Sequence, residues 1–373
     1  EFVHELAGAL DGRDSVDCIF LDFSKAFDVV SHDLLIAKLH GYKIDKKVVY
    51  WISEYLSLRK QYVVLNGCQS EFADVTSGVP QGSVLGPLLF MLYLNDIVGV
   101  VSSPMRLFAD DCVVYRKIRA SDDVDILQAD INAITDWCKL WEMNINFKKT
   151  VHIPFTRRRV PSLSTYTIND EPLTVAYEYK YLGVFLTSTL SWSKHIDYTV
   201  SKASRMLGFL ARNFKPVPRS LKERLYFSHV RSILEYACTI WDPHTAVQII
   251  KLEKVQNRAA RFVLNNYDRR LSMTRAKQSL GWKELSFRRK NLRLKFFNNI
   301  FHCRTGIDRN AYLHPPDYIS QRKDHVYKVK EFRCKSDVYM NSFFPKTIRD
   351  WNGLPASVVN IVPNDMFYST LTS

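Results

Sequence analysis

Residues 105–116 read MRLFADDCVVYR. Met105, Leu107 and Phe108 precede the adjacent pair Asp110-Asp111, and Cys112, Val113, Val114 and Tyr115 follow it. Two short apolar runs broken by a polar pair predict a β-hairpin with the aspartates at its tip. Aspartate is a good turn former, so a plain solvent-exposed turn could hold such a pair. A carboxylate near apolar walls is costly to desolvate, however, and a second one beside it makes both harder to ionise. The pair alone leaves the choice open, and the rest of the chain arbitrates.

Upstream, VDCIFLDF (16–23) is a compact apolar run that predicts a buried strand ending at Asp22. Taken alone, Asp22 reads as a helix or turn cap. If its strand neighbours the hairpin, Asp22 and Asp110 converge on one point. Clustered carboxylates with no basic partner close in sequence call for a hard divalent cation. Magnesium prefers one or two carboxylates plus substrate phosphates, and two such ions about 3.5–4 Å apart suit in-line phosphoryl transfer.

The elements around these acids alternate. FVHELAGALD closes at Gly12 as a helix; SHDLLIAKLHG (31–41), with Ser31 as cap, and 46–59 are two more. QYVVLNGCQSEFADV (61–75) reads as a hairpin around Asn66-Gly67. Gly and Pro crowd residues 77–87 before Pro87 opens a helix. A long helix starts at a Ser121 cap, INFKKTVHIPF (145–155) alternates like a strand, and 178–187 forms a further strand or hairpin arm. From about residue 193 helical stripes rich in Lys and Arg dominate, at 194–213, 219–238, 245–264 and 284–303, followed by a mixed tail from 305. The first half is therefore α+β rather than a doubly wound parallel sheet, and the second is mostly helical.

Bulk properties narrow the function classes. The 373 residues are 46% hydrophobic and 24% charged, an ordinary globular balance. The longest apolar run, Val84–Leu94, is too short to span a bilayer, which needs about 20 residues. Seven scattered cysteines, with no C-x-x-C pair, speak against a zinc ribbon and fit a reducing compartment. Net charge is +14 and uneven: residues 1–150 hold 15 Lys+Arg against 21 Asp+Glu, and residues 151–373 hold 37 against 17. An acidic half joined to a strongly basic one suggests a metal-binding or catalytic part beside a polyanion-binding part.

Five stretches, FLDFSKAFDVVSHDLLIAKL (20–39), SGVPQGSVLGPLLFMLYLNDI (77–97), LFADD (107–111), NFKKT (146–150) and YKYLGVFLT (179–187), resemble the successive palm motifs of reverse transcriptases in order and spacing. The wording SGVPQGSVLGPLLF with FADD is closest to the non-LTR (LINE-type, jockey-like) retrotransposon enzymes. RSILEYACTIWDP (231–243) and FFPKTIRDWNGLP (343–355) resemble C-terminal parts of that clade.

The resemblance implies a right-hand polymerase: a palm at 13–190, a basic helical thumb at 191–304, and a C-terminal region at 305–373, with residues 1–12 a remnant of the fingers or a connecting helix. It implies RNA-templated DNA synthesis from deoxynucleotides onto a primer 3′-hydroxyl, with RNA template, DNA primer or target and dNTP as partners. Asp22, Asp110 and Asp111 would bind two Mg²⁺ ions, Mn²⁺ being a possible substitute. Phe23, Phe27, Pro80, Gln81 and Gly82 would contact the substrate; Phe27 matches the aromatic that excludes a 2′-hydroxyl. Lys149 matches a lysine that protonates the departing pyrophosphate. Tyr181, Leu182 and Gly183 match the primer-grip turn. Arg157, Arg158 and Arg159 form a basic cluster that could contact phosphate or stand idle.

The family also implies an intracellular setting, cytoplasm and nucleus. Only about 20 residues precede Asp22, so most of the fingers, and any endonuclease, are expected to be missing from a piece of a larger polyprotein. Two other readings stay open: an inactive nucleic-acid-binding fragment, and a different palm-fold phosphotransferase such as a nucleotide cyclase. The second gives no reason for Phe27, the Gln81 loop or the basic half.

Overall fold

The apolar run before Asp22 forms the strand Ser15–Leu21, buried at every position but its first, and it sits at the centre of a five-stranded sheet. The structure, a computed structural model, describes residues 1–158, 164–320, 324–361 and 363–372. The chain divides into two compact units, Arg13–Leu182 and Glu1–Gly12 with Gly183–Ser373.

In the Arg13–Leu182 unit the sheet order is Thr174–Val175, Val151–Phe155, Ser15–Leu21, Asp111–Ile118, Met105–Phe108. Every pairing is antiparallel except the outermost, where Thr174–Val175 runs parallel to Val151–Phe155. The predicted hairpin forms: Phe108 pairs with Asp111 across the two-residue turn Ala109-Asp110. Side chains alternate across a strand. Ile19, Leu21, Cys112 and Val114 face a core shared with Leu35 and Leu39, with Leu89 and Phe90, and with Leu127, Ile131 and Ile134. Those come from the helices His32–Gly41, Leu85–Leu94 and Ser121–Leu140. Cys18, Phe20 and Val113 lie on the opposite face. The unit is α+β, as expected.

A buried cation ties the three helices together. The Lys38 ammonium lies 3.8 Å from the ring centroid of Trp141, 4.5 Å from Trp137 and 4.9 Å from Tyr93, and pairs with Asp96 at 2.5 Å. Burial pulls its pKa down while Asp96 pushes it back up.

Several local expectations need correction. The strand read over 145–155 is confined to Val151–Phe155, because Asn146 opens a turn whose carbonyl accepts from the amides of Lys149 and Thr150. Ser121 is the first helical residue rather than the cap; the Asp123 carboxylate accepts from the Arg119 and Ala120 amides instead. The helix read over 46–59 stops at Leu56. The stripe at 219–238 runs as Arg219–Leu225, a wide π turn at Tyr226–Arg231 and Ser232–Glu235, and breaks where Ala237 turns left-handed at φ 49°.

The second unit is mostly helical, built on Ser193–Asn213, Ala246–Leu264 and Leu285–Phe301. Leu294, Phe297 and Ile300 share one core with Phe344, Ile348, Trp351 and Phe367, so packing continues across residue 304 into the tail. The N-terminal helix Phe2–Asp11 belongs here. Its His4 ring is enclosed by Tyr312, Phe332, Tyr339 and Phe344 at 4.9–5.6 Å, and the Asp11 carboxylate accepts from the Lys335 amide. Among the described residues no helix is long and apolar enough to cross a membrane.

Candidate active site

The strand register brings the acids together. Leu21 pairs with Cys112 and Phe20 with Val113, so one further step along each chain sets Asp22 opposite Asp111. By alternation both point to the Phe20 face, away from the core. The Asp22 backbone is held on its other side: its amide donates to Thr150 Oγ1 at 3.4 Å and its carbonyl accepts from the Asn146 amide at 2.7 Å. Phe23 bridges to Ile145, and the Ser24 amide donates to the Asn144 carbonyl. The turn that displaced the predicted strand therefore sits beside Asp22 and carries Lys149, whose Nζ lies 3.6 Å from Asp22 Oδ2.

Charge at this point is incompletely neutralised. Burial raises the pKa of the Asp111 carboxyl, and Asp110 and Asp22 raise it further. Asp22 Oδ2 is buried without a hydrogen-bond partner. A carboxylate oxygen that makes no hydrogen bond and meets the exposed Lys149 ammonium at 3.6 Å, beside a crowded second acid, fits a hard cation completed by ligands from outside the protein. Among the described residues, however, no three Asp, Glu, His or Cys side chains gather as a protein-only metal group. Asp110, at the turn, is exposed.

The glycine-rich loop is laced to the segment after Asp22. The Gly78 amide donates to the Val30 carbonyl, the Val79 amide to the Phe27 carbonyl and Ser77 Oγ to the Asp28 carbonyl. Gly78 is required here: its φ is +82°, and a Cβ would stand 2.7 Å from the Asp28 carbonyl oxygen. Gln81 Nε2 donates to Asp28 Oδ1 at 2.9 Å, Pro80 is half-buried and Gly82 is exposed. Phe27 is half-buried and stacks on Phe90 at 4.3 Å and 21°. A cleft of about 690 Å³ runs along this loop, lined by Lys25, Asp28, Arg59 and Gln81 among others. Phe23, expected at the substrate, is 4% exposed and its side chain lies in the core.

Tyr181 packs against Phe20 at 5.4 Å, and its hydroxyl is pushed up to about 12 by burial, with Cys112 and Asp111 adding to it. Leu182 and Gly183 have positive φ, 46° and 81°, the pattern of a tight hairpin turn. Tyr179, which sequence reading passed over, lies flatter on Phe20 at 4.6 Å; burial raises its pKa, and Asp111 and Asp22 add to that. Alternation from Tyr181 was the signal that could have found it. Arg157 and Arg158 are exposed; Arg159 lies outside the described residues.

Residues 8–186 match the family described as reverse transcriptase (RNA-dependent DNA polymerase). The chain carries a reverse transcriptase domain. Over 272 residues it is 30% identical to the probable RNA-directed DNA polymerase from transposon X-element of Drosophila melanogaster, covering 70% of this chain and 30% of that protein. It is 29% identical over 268 residues to the RNA-directed DNA polymerase from mobile element jockey of Drosophila funebris, covering 68% and 29%. The chain thus spans about a third of the length of these relatives. Among solved structures, apo telomerase from Candida tropicalis is similar over 74% of this chain and 46% of its own, with 12% identity and a TM-score of 0.43. Within the reverse transcriptase domain fall Asp22, the Gln81 loop, the Asp110-Asp111 hairpin, Lys149 and Tyr181.

Proposed function

We propose that this chain is the palm, thumb and C-terminal part of a non-LTR retrotransposon polymerase that copies RNA into DNA. The observation that carries the proposal is the register that sets Asp22 across from Asp111 inside a reverse transcriptase domain. The Arg13–Leu182 unit acts as the palm, and the basic helices Ser193–Asn213 and Ala246–Leu264 act as a thumb on the nucleic-acid backbone. RNA template, DNA primer and dNTP are its partners.

Asp22 and Asp110, with Asp111 beside them, would hold Mg²⁺, or Mn²⁺ in its place, which when bound supplies charge neutralisation at the phosphates and lowers the pKa of the attacking hydroxyl. The chain's own residues do the rest. Phe27, braced by Phe90, lies beneath the sugar and leaves no room for a 2′-hydroxyl. Gln81 contacts the incoming nucleotide from the loop laced to Phe27 and Asp28. Lys149, beside Asp22, donates a proton from Nζ to the departing pyrophosphate oxygen. Tyr181 and the Leu182-Gly183 turn steady the primer end.

Primer extension on an RNA template in Mg²⁺ tests the proposal. Extension by the polymerase that contains this chain is expected, falling at least about 100-fold in Asp22→Ala and in Asp110→Ala. Extension that survives Asp110→Ala overturns it.

A further inference from the structure

A cleft of about 340 Å³ in the Arg13–Leu182 unit has no part in the reaction proposed above. Its three walls are the C-terminal end of the helix Ser121–Leu140 with the turn after it, residues 144–147, and the hairpin of Thr167–Ile168 with Glu171–Pro172. Each wall is pinned. The Met143 amide donates to the Cys138 carbonyl at 2.8 Å, and the Gln128 side chain exchanges hydrogen bonds with the Thr167 backbone at 2.8 and 2.9 Å. Residues 144–147 are tied to the segment that carries Asp22. The Ser24 amide donates to the Asn144 carbonyl at 2.8 Å, and the Asn146 amide to the Asp22 carbonyl at 2.7 Å. Preformed concavities of this size are where small organic ligands bind.

The lining selects the chemistry of the ligand. Its floor is apolar: Cys138, Met143 and Ile168 are buried, with Ile145 and Phe147 half-buried beside them. Polarisable sulfur packs well against rings, so Cys138 and Met143 favour an aromatic body. The rim is acidic. Glu142 and Glu171 stand exposed on it, and among the described residues neither forms an ion pair. Lys139, the cation at the rim, is already engaged by Asp136 at 3.0 Å. The carbonyl end of the 20-residue helix adds further negative potential. We propose that this cleft is an effector site for a compact aryl-alkylammonium ligand, coupled to Asp22 through residues 144–147. Binding depends only on the cleft, whereas its effect on catalysis rests on the polymerase reading of Asp22.

The probe is tryptamine, with tryptophol as its uncharged counterpart and indole-3-propionate as its anionic one. The reporter is the Met143 methyl resonance in protein labelled with ¹³C-methyl methionine, assigned by its absence in Met143→Leu. Tryptamine shifts it saturably, tryptophol binds at least about fivefold more weakly, and indole-3-propionate does not bind. The double variant Glu142→Gln, Glu171→Gln binds tryptamine no better than tryptophol. The Ser24 amide resonance in ¹⁵N-serine-labelled protein, assigned by its absence in Ser24→Ala, moves over the same tryptamine concentrations. A ligand seated against residues 144–147 displaces the backbone that positions Asp22. Saturating tryptamine therefore lowers kcat of primer extension about fivefold in the polymerase that contains this chain, with KM for dNTP unchanged. An unmoved Met143 methyl overturns the site. Equal binding of tryptamine and tryptophol, or tryptamine binding unaffected by the double substitution, overturns the cation assignment. Saturated binding that leaves the Ser24 resonance or kcat unchanged overturns the effector role. Extension that survives Asp110→Ala overturns the polymerase reading and leaves the binding result standing.

Discussion

Phe27 shows how little of a residue's role its type reveals. A phenylalanine six residues from a buried strand reads as core, and one of its faces is indeed stacked on Phe90 at 4.3 Å. Its other side stays partly exposed beside the loop that carries Gln81. A ring braced from behind cannot retreat, so it can refuse an extra hydroxyl by sterics alone. On the proposed reading, Phe27→Ala raises ribonucleotide incorporation relative to deoxynucleotide by about 10–100-fold, measured as the ratio of kcat/KM values. An unchanged ratio would remove Phe27 from the sugar site. Phe23 teaches the reverse lesson: it sits beside Asp22 in the same motif, but strand alternation turns its ring into the core. Position in a motif does not reveal which way a side chain points.

At the scale of elements, contiguous signals were legible and remote ones were not. The strand at 15–21, the hairpin at 105–118 and most helices announce themselves through apolar periodicity and short-range turn chemistry. The turn at Asn146 was missed because Ile145 and Phe147 mimic strand alternation while the Asn146 carbonyl is already committed to two amides. The Asp28–Gln81 pair spans 53 residues, and no local pattern announces it. The same holds for Asp242, which binds Arg289 at 2.7 Å, Arg293 at 3.1 Å and Lys346 at 2.7 Å, the last 104 residues away.

Two predictions belong at this scale. A Cβ at Gly86 would stand 2.3 Å from the Pro80 carbonyl oxygen, which is backbone and cannot swing aside. Gly86→Ala therefore pushes the helix Leu85–Leu94 away from the Gln81 loop, costing about 1–3 kcal/mol in denaturant unfolding and most of the extension activity. For Asp242, burial favours the neutral acid, but Lys346, Arg293 and Arg289 outweigh it and hold its pKa below the ordinary value of 3.8. A depressed carboxylate contributes stability above its unfolded pKa and loses it as pH falls through the folded one. Asp242→Asn leaves buried cations without their counter-charge and costs about 3–5 kcal/mol at pH 7. That difference from wild type shrinks in unfolding curves taken below about pH 4, as the unfolded chain takes up the proton first and the folded carboxyl follows at its lower pKa. A constant difference across pH would show that packing, not charge, dominates the site.

The whole molecule is polarised along its sequence, net −6 over residues 1–150 and +20 over 151–373. On the proposed reading, the acidic part serves where a cation and phosphates meet, and the surplus of cations elsewhere draws in the polyanion that brings them. Part of the surplus is consumed internally, as Arg289 and Arg293 on Asp242 and Lys277 on Glu253 show. Lys202, Arg205 and Arg212 instead lie exposed on the helix Ser193–Asn213, three, seven and ten residues apart and so on one helical stripe. Phosphate contacts release condensed counterions, and each one adds about 0.9 to the slope of log K against log salt for duplex. Binding of an RNA–DNA or DNA duplex is expected to weaken steeply between 50 and 200 mM salt, on the order of 10³-fold for about six contacts. Replacing Lys202, Arg205 and Arg212 together by Gln lowers the slope by about 2–3 and leaves thermal stability within about 0.5 kcal/mol, because exposed side chains carry little of the fold. A slope that stays put would move the duplex path off this helix, and the Ala246–Leu264 helix, with Lys254 and Arg258 exposed, would be the next surface to test.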